Sequence, residues 1–361
     1  MVSVKSITTP APNGGVRVEQ TQFDEKSFQV ILKPLFTGIC GTDRGIVNGA
    51  LQFAYPPHGS SRLVLGHECI ARVVDVRDTE SRLKVGDIVV PQVRRPGKCV
   101  NCRIGRSDNC SDGDKHEAGI TGLDGFMREE FGDSDEFLVP VKDSSLSEVG
   151  VLTEPLKNVE KAFEVFDIVS RRSIFQNESG TYEGKKALII GTGSEAFLYG
   201  LKSKDYGFDT VLTNRHDLDS LKDELLNRIG IDFLNYTSNG KDQGGYDLVI
   251  DTSGDPSTIF RFLRVMNNNG HMILFGTNGK APASDLNGAD IDYIIERNIT
   301  ISGSVDGSRI HFQRAIQDLS RWKSRYPGVL EKMITARIDP AETSIFTVKP
   351  SDEIKTVIAW S

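Results

Sequence analysis

The sequence predicts an α/β protein of two domains, an irregular β-rich domain with a doubly wound parallel sheet inserted into it. Three observations carry the prediction. Short apolar runs broken by glycine and proline fill the first 150 residues. After Thr153 the texture changes, and apolar runs alternate with segments of helical spacing. A glycine turn, Gly191-Thr192-Gly193, follows the first of those runs directly. At 361 residues the chain is long enough for two domains of about 150 residues each.

In chain order, Phe28 to Leu32, Ala71 to Val76 and Asp87 to Pro91 read as strands. Leu156, Val159, Phe163 and Phe166 recur at helical spacing, and Pro155 sits where a first helical turn tolerates proline. The helix is placed over Glu154 to Val169. Arg171 to Glu183 is polar and reads as a surface connection. Strand-like runs follow at Ala187 to Ile190, Thr210 to Leu212, Leu248 to Asp251, Met272 to Phe275 and Ile299 to Ser302. Helical patterns at Leu221 to Ile229 and Ser257 to Val265 fall between them, which predicts right-handed crossovers and a parallel sheet. From Arg309 the chain is helical first, then mixed. The expected division is residues 1–183 and 308–361 for the β-rich domain and 184–307 for the parallel-sheet domain.

A chain 38% hydrophobic and 26% charged has ordinary globular composition, which excludes disorder and fibrous repeats. Its formal net charge of −7 repels phosphate backbones, so nucleic acid is not an expected partner. No apolar run approaches the ~18 residues of a membrane span. Met1 to Pro12 lacks a basic segment followed by an apolar core, so a cytoplasmic location is expected. Five cysteines in such a chain argue against a disulfide framework. Three of them, Cys99, Cys102 and Cys110, crowd together and ask for a metal.

Gly191-Thr192-Gly193-Ser194-Glu195-Ala196 fits G-x-G-x-x-G/A between a strand and a helix. The first glycine permits the tight turn, the second lets a pyrophosphate approach the backbone, and the small third residue lets helix and strand pack closely. The helix N-terminus supplies free N–H groups. The next strand end reads Asn214-Arg215-His216, with no acid until Asp217. Arg215 attracts a 2′-phosphate and can stack on adenine, so NADP is expected to be preferred, with NAD also accepted. A thiolate, an imidazole and a carboxylate at Cys40, His67 and Glu68 suit a zinc ion that keeps one position open.

Gly38 to Asp43, Gly66 to Glu68 and the cysteine cluster precede the nucleotide turn, and in that order the chain resembles the zinc-containing medium-chain alcohol dehydrogenase superfamily. The segments Arg94 to Cys99, Lys115 to Gly119 and Thr153 to Asn158 are similar to the archaeal-type glucose 1-dehydrogenases. The resemblance implies a GroES-like catalytic domain, a Rossmann nucleotide-binding domain, a homotetramer, and oxidation of aldoses at C1. It implies zinc ligation by Cys40 and His67, with Glu68 ligating directly or through water and Glu154 contacting metal or substrate. Thr42 would bind the sugar hydroxyl and relay its proton, and Glu117 would hydrogen-bond the sugar. Asp306 would lie near nicotinamide and substrate. Gly276, Thr277, Asn278, Ser304 and Val305 would line the cofactor. The family's structural zinc lobe uses four cysteines, and here the first position is Pro96, which cannot ligate. Asp114 or His116 is expected as the fourth donor beside Cys99, Cys102 and Cys110. Cys69 has no partner in this scheme and reads as a small buried hydrophobe. The basic run Arg94, Arg95, Lys98, Arg103 and Arg106 reads as a solvated face or subunit contact.

The expected reaction is zinc-assisted hydride transfer from C1 of a sugar to a nicotinamide, yielding a lactone. Two alternatives stand beside it. One is a polyol or secondary-alcohol dehydrogenase of the same superfamily. The other is a nucleotide-binding sensor without turnover.

Overall fold

The computed structural model describes residues 1–12, 14–113, 116–172, 180–238, 244–278, 281 and 286–360. These divide into two compact units, Met1–Lys157 with Asp306–Ser361, and Asn158–Val305. The first division falls inside the helix Thr153–Ser170 rather than after residue 183. Beyond Lys157 the helix belongs to the second unit, within which Phe166 meets Tyr182, Phe208 and His271. Among the described residues no helix is long and apolar enough to cross a membrane.

The first unit is built on a mixed sheet. Its strand path runs Leu138–Pro140, Ile88–Pro91, Glu68–Val76, Val30–Ile39, Lys355–Ala359, Ile334–Ile338. Val30–Ile39 extends well past the expected end at Leu32, because register shifts at Ile31/Leu32 and Pro34/Phe36 carry Pro34 through the sheet. Glu68–Val76 likewise begins three residues before Ala71. Gly38 pairs directly with Glu68, and Ile39 with Thr356. Three strand ends therefore converge on one point, bringing together residues 40, 67–68 and 355. One core beneath this sheet packs Val30, Leu32, Cys69, Val73 and Phe131. Cys69 is fully buried there, as a small hydrophobe.

The second unit is a six-stranded parallel sheet. Its order is Asp232–Asn235, Asp209–Asn214, Lys186–Ile190, Tyr246–Asp251, Met266–Leu274, Thr300–Gly303. The order reverses at the first strand in sequence, Lys186–Ile190, which is the switch point of a doubly wound sheet. Asp232–Asn235 escapes the sequence reading because four residues of mixed polarity show neither alternation nor a continuous apolar run. The helix Pro256–Leu263 starts with proline at its first position and is capped by Asp255, whose carboxylate accepts from Thr258 N at 3.1 Å.

Candidate active site

Cys40 ends a strand and caps the helix Gly41–Val47. Its sulfur accepts from Thr42 N at 3.2 Å, and Asp43 reaches back to Cys40 N at 3.0 Å. This reciprocal cap fixes the sulfur's direction. The neighbouring strand delivers His67, whose Nε2 lies 3.1 Å from Cys40 Sγ. Behind the ring, Asp43 Oδ1 lies 3.6 Å from His67 Nδ1. His67, Glu68 and Glu154 offer donor atoms within 4.8 Å of one another, and so do Cys40, Asp43 and His67. His67 is shared by the two triplets. Thr42 is half-buried at the edge of this group.

Glu68 is fully buried, and Lys355 Nζ donates to both its oxygens at 2.7 Å. A glycine at 38 makes room for it, since a β-carbon there would stand 1.9 Å from Glu68 Oε2. Glu154 opens the helix Thr153–Ser170. Lys157, one turn later, lies 3.2 Å from Glu154 and 2.8 Å from Asp306. Arg94 Nε lies 2.6 Å from Asp306 Oδ2, and Arg94 Nη2 donates to Glu117 at 2.7 Å. The result is a buried row, Glu117, Arg94, Asp306, Lys157, Glu154, of three carboxylates and two cations. The row carries one net negative charge, and its Glu154 end stands beside His67. Arg94 is thus buried, not part of a solvated face, because its side chain turns inward to answer two carboxylates.

The electrostatics favour a cation at this point. Burial disfavours a charged imidazole, yet Cys40, Asp43 and Glu154 outweigh it and hold His67 well above its ordinary pKa. Among the described residues His67 Nδ1 and Asp43 Oδ1, 3.6 Å apart, have no hydrogen-bond partner. A sulfur, an imidazole nitrogen and a carboxylate fit zinc with a position to spare. Burial pushes Asp306 up, but Lys157 and Arg94 prevail and keep it below the usual carboxylate range.

The sulfurs of Cys99, Cys102 and Cys110 lie within 4.8 Å of one another. Gly97 N donates to Cys102 Sγ at 3.2 Å, and Cys102 N to Cys99 Sγ at 3.4 Å. Backbone N–H groups of Ser111 and Cys102 bring Cys99 down to about 6, while burial and Cys99 itself raise Cys102 to about 11. Three such thiols fit a structural zinc in everything but the fourth donor. His116 does not join them among the described residues. It lies in the strand His116–Ala118, and its ring covers Gly122, whose β-carbon would stand 2.5 Å from His116 Nδ1. Asp114 lies outside the described residues.

In the second unit, Gly191 takes φ 126°, and a β-carbon there would meet Thr252 Oγ1 at 2.3 Å. Gly193 caps the helix Ser194–Asp205 with nothing within 4 Å of its missing side chain, and Ala196 packs fully buried below. Ser194 Oγ donates to Glu195 at 2.8 Å, and Asn214 Nδ2 to Thr192 Oγ1 at 3.0 Å. Arg215 and His216 are exposed at the end of the second strand. Asp217, the nearest acid, is held by Asn235 Nδ2 at 2.6 Å. Gly276 packs against Gly254 N, where a β-carbon would stand 2.3 Å away, which draws the loops of Thr277 and Asn278 and of Ser253 together. Ser304 N donates to Leu274 O at 3.1 Å, and Val305 is exposed.

Sequence reasoning passed over Asp43, Arg94, Lys157 and Lys355 as parts of this group. Lys157 could have been found: it stands one helical turn after Glu154 in the same segment.

Two family models match. Residues 26–143 match an alcohol dehydrogenase GroES-like domain, and residues 147–360 match a glucose dehydrogenase C-terminus. A curated relative named glucose 1-dehydrogenase, from Thermoplasma acidophilum, is 55% identical over all of both chains. Another of that name, from Metallosphaera sedula, is 40% identical over 99% of each. A solved structure of Haloferax mediterranei glucose dehydrogenase, in complex with NADP, Zn and gluconolactone, superposes with a TM-score of 0.84 at 26% identity and 99% coverage of both chains.

Proposed function

We propose, since the chain belongs to the glucose 1-dehydrogenase family, that it oxidises D-glucose, and other aldoses such as galactose, at C1. The hydroxyl proton is released, the C1 hydride passes to NADP or NAD, and the product is the lactone. The observation that carries the reading is the pair of donor triplets sharing His67, one with Cys40 and one with Glu154, joined to a buried row of charges ending at Glu117.

Cys40 and His67 are the zinc ligands in this reading, with Glu68 and Glu154 as nearby carboxylates. Zinc, when bound, lowers the pKa of the sugar's C1 hydroxyl toward neutrality. Asp43 places a carboxylate 3.6 Å behind the His67 ring, on the side away from Cys40. Thr42 accepts the hydroxyl proton and passes it outward. Glu117, Glu154 and Asp306 accept hydrogen bonds from the remaining hydroxyls. Arg94 and Lys157 keep Asp306 ionised as an acceptor. Carboxylates fixed in this row favour a polyhydroxylated substrate over a simple alcohol. The turn at Gly191 to Ala196 holds the pyrophosphate, and Arg215 and His216 take the 2′-phosphate, so NADP is preferred. Cys99, Cys102 and Cys110 hold a second, structural zinc in this reading. A homotetramer in the cytoplasm fits the family and the reduced thiols.

Initial rates at the reduced-nicotinamide absorbance band test the reading, with glucose, galactose, xylose, sorbitol and threonine, with and without a chelator. Turnover of aldoses that the chelator abolishes is expected. Turnover of sorbitol or threonine alone would overturn the substrate assignment, and no turnover with bound NADP would overturn the enzyme itself.

A further inference from the structure

We infer that Arg94 is a positioning residue, through which the three-thiol lobe sets the affinity of the enzyme for its sugar. The inference rests on the aldose reading above. Arg94–Arg95 and His116–Ala118 are paired antiparallel strands, and Arg94 is the direct cross-strand partner of Glu117. The chain between these partners leaves at Pro96, passes the three cysteines and returns at residue 116. The lobe is therefore a loop whose two ends are Arg94 and Glu117.

Arg94 joins three things. Its Nη2 and Nε donate to Glu117 Oε1 at 2.7 and 3.1 Å. Its Nε lies 2.6 Å from Asp306 Oδ2. Its Nη1 donates to the carbonyls of Ser107 and Asp108, at 3.5 and 3.4 Å, in the turn that leads into Cys110. One planar guanidinium thus holds two substrate-facing carboxylates at a fixed separation and ties both to the cysteine lobe. Linking Cys99 and Cys102 to Cys110 closes the lobe and holds that turn against Arg94. Opening the lobe adds freedom to the loop between the two strand partners, and the carboxylates lose their common anchor.

The mechanism requires no contact between Arg94 and the reacting atoms, so its signature is a split in the kinetic constants. With Arg94→Lys, a single ammonium cannot span both carboxylates. The aldose KM is expected to rise about tenfold or more, with the NADPH dissociation constant within about twofold and zinc content unchanged. Titration calorimetry with glucose gives the same comparison without turnover. Cys110→Ser tests the link to the lobe. It is expected to weaken glucose binding about tenfold in the wild-type background and scarcely at all in the Arg94→Lys background, a non-additive cycle. Equal effects of Cys110→Ser in both backgrounds, or a wild-type aldose KM in Arg94→Lys, would overturn the inference. A wild-type enzyme that oxidises no aldose overturns the activity reading instead.

Discussion

Asp306 takes φ 69°, a left-handed conformation that crowds its β-carbon, and is held there by Lys157 and Arg94. The same logic of buried pairs governs Glu68 and Lys355, each about 1% exposed. Removing one partner leaves a buried charge alone. Lys355→Met is expected to cost about 3–5 kcal/mol in urea unfolding, and Glu68→Gln added to it to recover most of that loss. His271 gives a second prediction, in pH. Burial, helped by the charge of Arg172, pushes its imidazole down to about 4. Between pH 6.5 and 4 the unfolded chain takes up a proton that the fold refuses. Stability therefore falls as pH falls through this window, by up to about 1.4 kcal/mol per unit, and His271 contributes no further change below it. Unfolding of wild type and His271→Gln at pH 7 and 4.5 measures this. The variant should lose less stability across the interval.

At the level of strands and loops, the chemistry-bearing residues nearest to glycines were legible and their ionic partners were not. Cys40, His67 and the turn at Gly191 announce themselves because tight turns demand glycine beside them. Lys355 sits 287 positions from Glu68, and only the register of Ile39 with Thr356 and of Gly38 with Glu68 brings them together. Arg94 looked solvated because charge in a loop usually is, and two buried carboxylates from distant segments reversed that. The strand end at Asn214 to His216 carries a prediction of its own. Arg215→Asp places a carboxylate where a 2′-phosphate is expected, while Asp217 stays occupied by Asn235. The ratio of kcat/KM for NADP over NAD should fall about tenfold or more, and an unchanged ratio would remove Arg215 from the cofactor site.

For the molecule as a whole, the alternation of strands and helices after Thr153 was enough to read the parallel sheet, since each parallel strand must be reached by a crossover. The first unit was harder. Its sheet joins Val30–Ile39 to Lys355–Ala359, and no local pattern reports a pairing across the inserted unit. That strand lies between Val30–Ile39 and Ile334–Ile338 and brings Glu353, which pairs with Arg44 at 2.7 Å on the helix begun by Cys40. A chain truncated after Lys349 loses the strand, this ion pair and Lys355 together. It is expected to retain no zinc after dialysis and to lose the first unit's cooperative transition in calorimetry.

The position of Lys355–Ala359 also orders the protein's biosynthesis. The ribosome releases the nucleotide unit, complete at Val305, before the strand that finishes the first sheet exists. Until residue 359 has emerged, Val30–Ile39 keeps an open edge and Glu68 waits without its ammonium. A nascent chain can therefore finish its second unit early, but it cannot complete the sheet that carries Glu68 and Lys355 until translation has passed that strand.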